Sequence, residues 1–265
     1  MQRSDAELKA VWGEAISAYH ATPLAAHYRF AVTPAKFTEL RALVDHMPEG
    51  GTLLDIGTGM AIMPRTLKAL GARVISVDPP FTGPEAAANA ALAGIETLVC
   101  DVTAEPLPLP SGSVDVVLFA DVIEHLLHSP RPALAEFHRV LKPGGACLAT
   151  TPNAVRLPVR LKVLMGWSNW PPLSDFYDEP VHGGHHHEYT PEEFRAAFTG
   201  AGFAVESLLL HGTTRDVATI SFDRLAGDGR DRSGNPLVGL AKLPIALIEA
   251  LVPRLRRDML LVARA

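Results

Sequence analysis

Leu53-Leu54-Asp55-Ile56-Gly57-Thr58-Gly59-Met60-Ala61 couples an apolar run to a glycine turn, with an acid just ahead of the glycines. Two glycines let a chain turn tightly and bring its backbone against a ligand where a Cβ would collide. The stretch reads as a strand end followed by a nucleotide-cofactor loop. Asp55 favours a ligand carrying an ammonium or a sulfonium over a pyrophosphate. The dinucleotide fingerprint G-x-G-x-x-G also breaks, because Ile62 stands where its third glycine belongs.

Outward from this loop the apolar periodicity alternates between two and 3.6 residues. It predicts strands over 52–56, 73–77, 97–100, 114–119 and 146–150, separated by helices over 61–70, 85–92 and 132–141, with Gly71 and Gly94 closing the first two helices. Short helices between strands imply parallel βαβ units. Residues 1–48 look helical, with Val11, Trp12, Ile16 and Tyr19 forming one apolar set and Leu40, Leu43 and Val44 another. They are expected to cap the mouth of the sheet. After Pro152-Asn153 the rhythm stops, and 154–189 holds a helix candidate over 155–165 and then an irregular, histidine-rich loop, the pattern of a lid. Thr190-Pro191-Glu192-Glu193 carries a capping hydroxyl, a proline at the first helical position and a glutamate at the third, so a helix starts there. Strands over 203–210 and 259–263 follow. The apolar run 237–252 is interrupted by Pro244, which argues against one long helix. Core packing is expected for it, with a membrane surface or subunit pairing as alternatives.

The 265 residues suit a single domain over 1–265, divided into an N-terminal helical cap (1–48), a cofactor-binding core (49–153), a substrate lid (154–189) and the C-terminal part of the core (190–265). A net charge of −5 removes the attraction on which most nucleic-acid binders rely, so no nucleic-acid partner is expected. Cys100 and Cys147 lie in apolar strand-like runs and read as reduced, buried thiols, which fits the cytoplasm. The polar N-terminal residues lack an apolar leader, and no run is long and apolar enough to span a membrane.

Three acids end three successive strands: Asp55, Asp78 and Asp101. Alone, each reads equally well as a helix cap. Together at the carboxyl edge, where open α/β sheets bind ligands, they point to one cofactor. Asp78 lies at the end of the strand after the glycine loop, where a carboxylate accepts both hydroxyls of a ribose. The order Asp55-Ile56-Gly57-Thr58-Gly59, Val77-Asp78, Cys100-Asp101-Val102, the run 107–117, Glu124-His125-Leu126, Leu141-Lys142-Pro143-Gly144-Gly145 and Thr150-Thr151-Pro152-Asn153 resembles the class I S-adenosylmethionine-dependent methyltransferases over residues 50–211 and the last strand.

The resemblance implies a Rossmann-like, doubly wound seven-stranded sheet, mostly parallel with an antiparallel last strand, plus N-terminal helices and a lid insert. It implies S-adenosyl-L-methionine as cofactor and S-adenosyl-L-homocysteine as product. Asp55, Gly57, Thr58, Gly59, Asp78, Pro79, Asp101, Val102 and Ala120 would line the site, with Asp101 and Val102 reading adenine. Ala61 replaces a glycine found in many members; a methyl group alone is expected to do no harm to binding.

A hydroxyl acceptor must lose a proton, and a histidine is the usual assistant. His20, His27, His125, His182, His185, His186 and His187 are candidates, His125 and His187 foremost. On a helix, Asp121, Glu124 and His125 would share a face. Asp121 could equally cap that helix, with Glu124 completing a capping box. The segment is similar to the ubiquinone-biosynthesis O-methyltransferases, which implies a divalent metal at Asp121, Glu124 and His125, completed by His182 or one of His185 to His187. Trp167, Trp170, Phe176 and Tyr177 would wall the acceptor or glue the lid down. The expected acceptor is a small-molecule, glycan or lipid-like hydroxyl, and an oligomer is not excluded by the sequence. Alternatives are N- or carboxyl-methylation in a natural-product pathway and a non-catalytic cofactor-binding module.

Overall fold

The computed structural model describes residues 1–22, 33–81, 84–169, 184–213 and 236–265. Seven strands form one sheet: β1 (Thr52–Ile56), β2 (Arg73–Asp78), β3 (Glu96–Val99), β4 (Val114–Ala120), β5 (Leu141–Pro152), β6 (Ala204–His211) and β7 (Asp258–Arg264). Their order is β3-β2-β1-β4-β5-β7-β6. The first five run parallel, and β7 lies antiparallel between β5 and β6. The sheet reverses its winding at β1 and β4, so the loops after these two strands face each other at the carboxyl edge.

From Val116 on, past the register shift after Val114, the side chains of β4 alternate between the two faces. Val116 and Leu118 enter one core and Val117 and Phe119 the other, because successive residues of a strand point to opposite sides. Both faces are therefore covered, as parallel sheets require. On the first face lie α1 (Asp5–His20), α2 (Pro34–His46), α3 (Ile62–Ala69) and α4 (Pro84–Leu92). On the second lies α5 (Arg131–Val140), joined by the helix Pro191–Gly200, whose Phe194 and Phe198 are fully buried. That helix begins with the reciprocal capping box of Thr190 and Glu193. The first helix does not lie across the mouth of the sheet. Leu8, Trp12 and Tyr19 share a core with Leu53 and Leu67, so α1 is a layer of the fold packed beside α3.

Two further elements depart from the pattern read in the sequence. The β5 strand begins at Leu141, several residues earlier than its apolar run, and takes up a register shift against β4 between Val114 and Val116. The helix Pro236–Leu251 is continuous through Pro244. Proline removes one backbone donor there, and Pro244 itself is exposed. The lid helix, α6 (Leu157–Leu164), is followed by α7, the capped helix Pro191–Gly200, and α8, the helix Pro236–Leu251.

The glycine loop is shaped by contact as well as by turning. Gly57 has φ +80, and a Cβ there would meet Val122 Cγ2 at 2.6 Å. The loop after β1 thus packs directly on the loop after β4. Ala61, at the N-cap of α3, sits at φ 55, a left-handed conformation that costs an alanine about 1–2 kcal/mol. Its effect is backbone strain more than an added methyl. Gly57→Ala is expected to destabilise the protein by about 2–4 kcal/mol, combining left-handed strain with overpacking; urea unfolding measures it, and a loss below about 1 kcal/mol would mean that the two loops do not touch.

Candidate active site

The strand ends gather acids that the interior holds tightly. Asp55 is buried, and its carboxylate accepts one hydrogen bond from Ser76 Oγ at 3.1 Å. Burial raises its pKa to about 8, against the Ser76 hydrogen bond and with help from the neighbouring Asp78. Asp78 accepts from the Thr58 backbone N–H at 3.1 Å and from the Thr58 hydroxyl. The glycine loop is thereby tied to the end of β2. Asp101 accepts from the backbone and the hydroxyl of Thr103 at 2.9 and 2.7 Å, shaping the turn after β3. Val102 is buried beside it, and Pro79 is half-buried. Asn89 of α4 donates to the Gly59 carbonyl at 2.9 Å. Asp55, Gly57, Thr58, Gly59, Asp78 and Pro79 thus lie around the first two strand ends, with Asp101 and Val102 at the third and Ala120 at the fourth.

Beyond Ala120 the chain turns sharply. Asp121 has φ 54, and the following helical turn, a 3-10 segment over Ile123–His125, has no side-chain cap. Asp121 is therefore not an N-cap, and the capping box with Glu124 does not form. Its carboxylate is engaged elsewhere: Thr150 Oγ1 donates to Oδ1 at 2.9 Å and Lys36 Nζ to Oδ2 at 2.7 Å. Lys36 also donates to Glu39 Oε2 at 2.9 Å, and His211 Nε2 stands 3.8 Å from Glu39 Oε1. Lys36 and Asp121 keep 28% and 46% of their side-chain area open, whereas Glu39 is buried. Burial disfavours the Lys36 ammonium, but Asp121 and Glu39 together raise its pKa. Burial likewise opposes ionisation of Asp121, and Lys36 overrides it and lowers the pKa. Glu39, more deeply buried, is raised to about 7 in spite of Lys36.

Glu124 and His125 face the lid. Ligand atoms of Glu124, His125 and His185 all lie within 4.8 Å of one another, and the two imidazoles meet edge to face with centroids 4.8 Å apart. The left-handed turn at Asp121 and the hold of Lys36 separate Asp121 from this group. His185 Nδ1 is 2.9 Å from Glu188 Oε1, and Arg156 grips Glu188 with two bonds of 2.6 and 2.9 Å. Burial would raise the Glu188 pKa, but His185 and Arg156 hold it down at about 2. The Glu188 hydrogen bond raises that of His185. Thr151 donates to Glu124 Oε2 at 3.0 Å, while Glu124 Oε1 is buried without a hydrogen-bond partner among the described residues. Burial, then Asp121, raises the Glu124 pKa to about 7. The chain ahead of Thr190 is joined to this turn through the backbone N–H groups of His186 and His187, which donate to the Glu124 carbonyl at 2.7 and 3.3 Å.

The ring of His187 stacks edgewise on Tyr189, with centroids 4.6 Å apart, and is not part of the three-residue group. His20 is exposed beside Tyr19. His27, His182, Trp170, Phe176 and Tyr177 lie outside the described residues. Sequence reading missed Lys36, Glu39, Arg156 and Glu188. None belongs to a motif, and each acts through a partner distant in the chain. Asn153, read only as part of a motif, is fully buried and donates to the carbonyls of Arg254 and Arg256 at 3.0 and 2.8 Å, pinning the start of the lid to the approach to β7.

The methyltransferase domain family matches residues 25–208, more than half of the chain. A ubiquinone biosynthesis O-methyltransferase of Cereibacter sphaeroides is 37% identical over 106 residues, covering 40% of this chain and 42% of the relative. One from Methylobacterium nodulans is 32% identical over 168 residues, covering 59% and 61%. The chain thus matches less than two thirds of the length of these relatives. Among solved structures, an S-adenosylmethionine-dependent methyltransferase from Archaeoglobus fulgidus superposes with a TM-score of 0.57 at 17% identity, over 87% of this chain and 94% of the other. The [4+2]-cyclase SpnF superposes equally well, with a TM-score of 0.57 at 18% identity, over 96% and 92%. These structural likenesses establish the fold alone.

Lys36 stabilises two carboxylates at once, so its removal leaves both uncompensated. Lys36→Met is expected to lower stability by about 1–3 kcal/mol, and adding Glu39→Gln should recover part of the loss. Urea unfolding of the single and double variants checks this. Strict additivity of the two substitutions would deny the coupling.

Proposed function

The chain belongs to the methyltransferase domain family, and on that premise we propose that it transfers the methyl group of S-adenosyl-L-methionine to a hydroxyl oxygen. The acceptor is a small molecule, a glycan or a lipid-like compound. The observation that carries the choice of oxygen is the trio Glu124, His125 and His185 just beyond β4. A sulfonium methyl is already activated, so the protein's main task is to align the acceptor and exclude water. An amine attacks with a lone pair it already has. A hydroxyl must lose its proton as it attacks, and a carboxylate beside two imidazoles serves that need. The similarity to ubiquinone biosynthesis O-methyltransferases supports the same reading.

In this mechanism the backbone of the glycine loop and the carboxylates of Asp78 and Asp101 hold the ribose and adenine, and Asp55 faces the positive charge of the methionine part. The acceptor oxygen forms a bond to the methyl carbon as the carbon–sulfur bond breaks, and that electron pair returns to sulfur. The acceptor's proton passes to His125. His185, oriented through Glu188 and Arg156, supports it from the lid. His187 holds the lid by its backbone and its contact with Tyr189.

The donor set also fits a divalent ion. Glu124 Oε1 is buried without a protein partner among the described residues, and mixed carboxylate and imidazole ligands suit such a metal. Glu124, His125 and His185 would hold it, with Glu188 orienting His185 as an outer carboxylate. A metal there would supply Lewis acidity that favours the deprotonated hydroxyl, and His125 would then serve as its ligand in place of the base role.

Three measurements test the reading. Asp78→Ala should weaken S-adenosyl-L-homocysteine binding by about 1.5–3 kcal/mol, the loss expected for charged hydrogen bonds; unchanged affinity in calorimetry contradicts the ribose placement. Zinc or magnesium added to chelator-washed protein should raise the melting temperature, and His185→Ala should abolish the rise. A melting temperature indifferent to both ions removes the metal. Release of S-adenosyl-L-homocysteine with a panel of hydroxyl and amine acceptors then separates oxygen from nitrogen transfer, and tight cofactor binding without turnover on any acceptor favours a non-catalytic module.

A further inference from the structure

The helix α8 is turned inside out. Leu243, Leu247 and Leu251 fall at i, i+4 and i+8, one line along a helix, and Ile248 and Val252 stand beside them; all five are exposed, Leu247 at 61% and Leu251 at 73%. On the opposite side the buried positions are Ala246 and a glutamate, Glu249, which has no exposed surface. A helix that served only the core would carry the reverse pattern. The sequence leads to core packing for this stretch, and from Leu243 on, where its side chains are described, the structure turns Leu243, Leu247, Ile248, Leu251 and Val252 to the outside.

A second apolar row adjoins it. α6 packs against α8, and at its C-terminal end Val163, Leu164, Met165 and Trp167 are exposed, Leu164 at 83%. Scattered apolar residues on a surface are ordinary, but nine on two contacting elements are not. Trp167 adds an aromatic ring of the kind that settles at a lipid headgroup boundary.

The charge around this surface is basic although the whole chain carries −5. Residues 156–167 and 243–257 contain Arg156, Arg160, Lys162, Arg254, Arg256 and Arg257 against one acid, the buried Glu249. Arg156 is neutralised by Glu188, Arg254 meets Glu192 at 2.8 Å, and the charge of Arg257 acts on the neighbouring Asp258. Arg160 and Arg256 donate instead to backbone carbonyls, Val155 O at 2.9 Å for the first and Glu249 O, Leu210 O and Ala250 O for the second. Carbonyls satisfy the donors and leave the charge. Lys162 has no acidic partner among the described residues.

We propose that the apolar face of α8, with the end of α6 and their basic flanks, docks this protein on the surface of an anionic lipid bilayer. Apolar side chains enter the headgroup boundary and the arginine and lysine charges meet lipid phosphates, the two contributions that hold an interfacial helix. No helix among the described residues is long and apolar enough to cross a membrane, so the contact is with one leaflet. A second copy of the chain is a poorer occupant, because a twofold pairing of this face would bring its basic flanks together. The placement is also directed. α6 leaves β5 just past Pro152, and Arg254, Arg256 and Arg257 precede β7 where Asp258 pairs with Pro152. The docking face therefore flanks the same strand ends that carry the candidate active site. The inference concerns the surface alone and holds whichever acceptor is methylated.

Flotation of the full chain with phosphatidylcholine vesicles, with and without phosphatidylglycerol, tests it. The chain should float with the anionic vesicles, less with phosphatidylcholine alone, and less as salt is raised. Leu247→Glu with Leu251→Glu should reduce flotation by about tenfold or more, while the melting temperature and S-adenosyl-L-homocysteine affinity stay unchanged, since both side chains are exposed. Arg160→Glu with Lys162→Glu should weaken anionic flotation selectively. Failure to float with anionic vesicles, or equal flotation of wild type and the leucine variant, overturns the proposal. Sedimentation showing a wild-type dimer that the leucine variant lacks, with no flotation of either, assigns the face to a second copy instead.

Discussion

A carboxylate buried at the end of the first strand is the constraint around which the rest of this molecule is arranged. Asp55 has a single hydroxyl partner and a second acid nearby, so its charged form is disfavoured and its pKa rises to about 8. A folded-state pKa above the unfolded value makes this group a net burden on stability that grows as pH rises between the two. An isosteric amide would remove the burden. In the proposed reading the carboxylate faces a cofactor that brings its own positive charge, and the apo fold carries the strain that the ligand relieves.

The same economy of charge extends along the carboxyl edge. Asp78 fastens the glycine loop through Thr58, Asp121 is held in a left-handed turn by Lys36 and Thr150, and Glu124 keeps one oxygen without a partner among the described residues. Each acid has a different environment, and this differentiation lets one strand edge do several tasks. The lid is tied to it by Arg156, Glu188 and His185 and by two backbone donors to the Glu124 carbonyl. The N-terminal helices contribute a core layer through α1 and, through α2, the ammonium that holds Asp121.

The order of elements was legible because periodicity and turns are local. The run 52–56, the capping box at Thr190 and the acids at three strand ends all announce themselves within a few residues. The antiparallel seventh strand was legible only through resemblance, since an apolar run has no intrinsic direction. The capping role read for Asp121 failed because a lysine 85 positions away claims its carboxylate. Helical spacing suggested that Asp121, Glu124 and His125 act together, whereas a left-handed turn and that same lysine part the first from the others. α8 misled in a different way: its composition says core, and only exposure reveals that the apolar side faces out.

The most direct test of the account is the proton count of cofactor binding. S-adenosyl-L-homocysteine is titrated calorimetrically at pH 7 in two buffers of different ionisation enthalpy, for the wild type and for Asp55→Asn. With the Asp55 pKa at about 8 in the free protein, a ligand ammonium beside it should expel a proton, so the wild type releases up to about one proton per site and Asp55→Asn releases none. Equal proton release by the two proteins would contradict the central role given to that carboxylate.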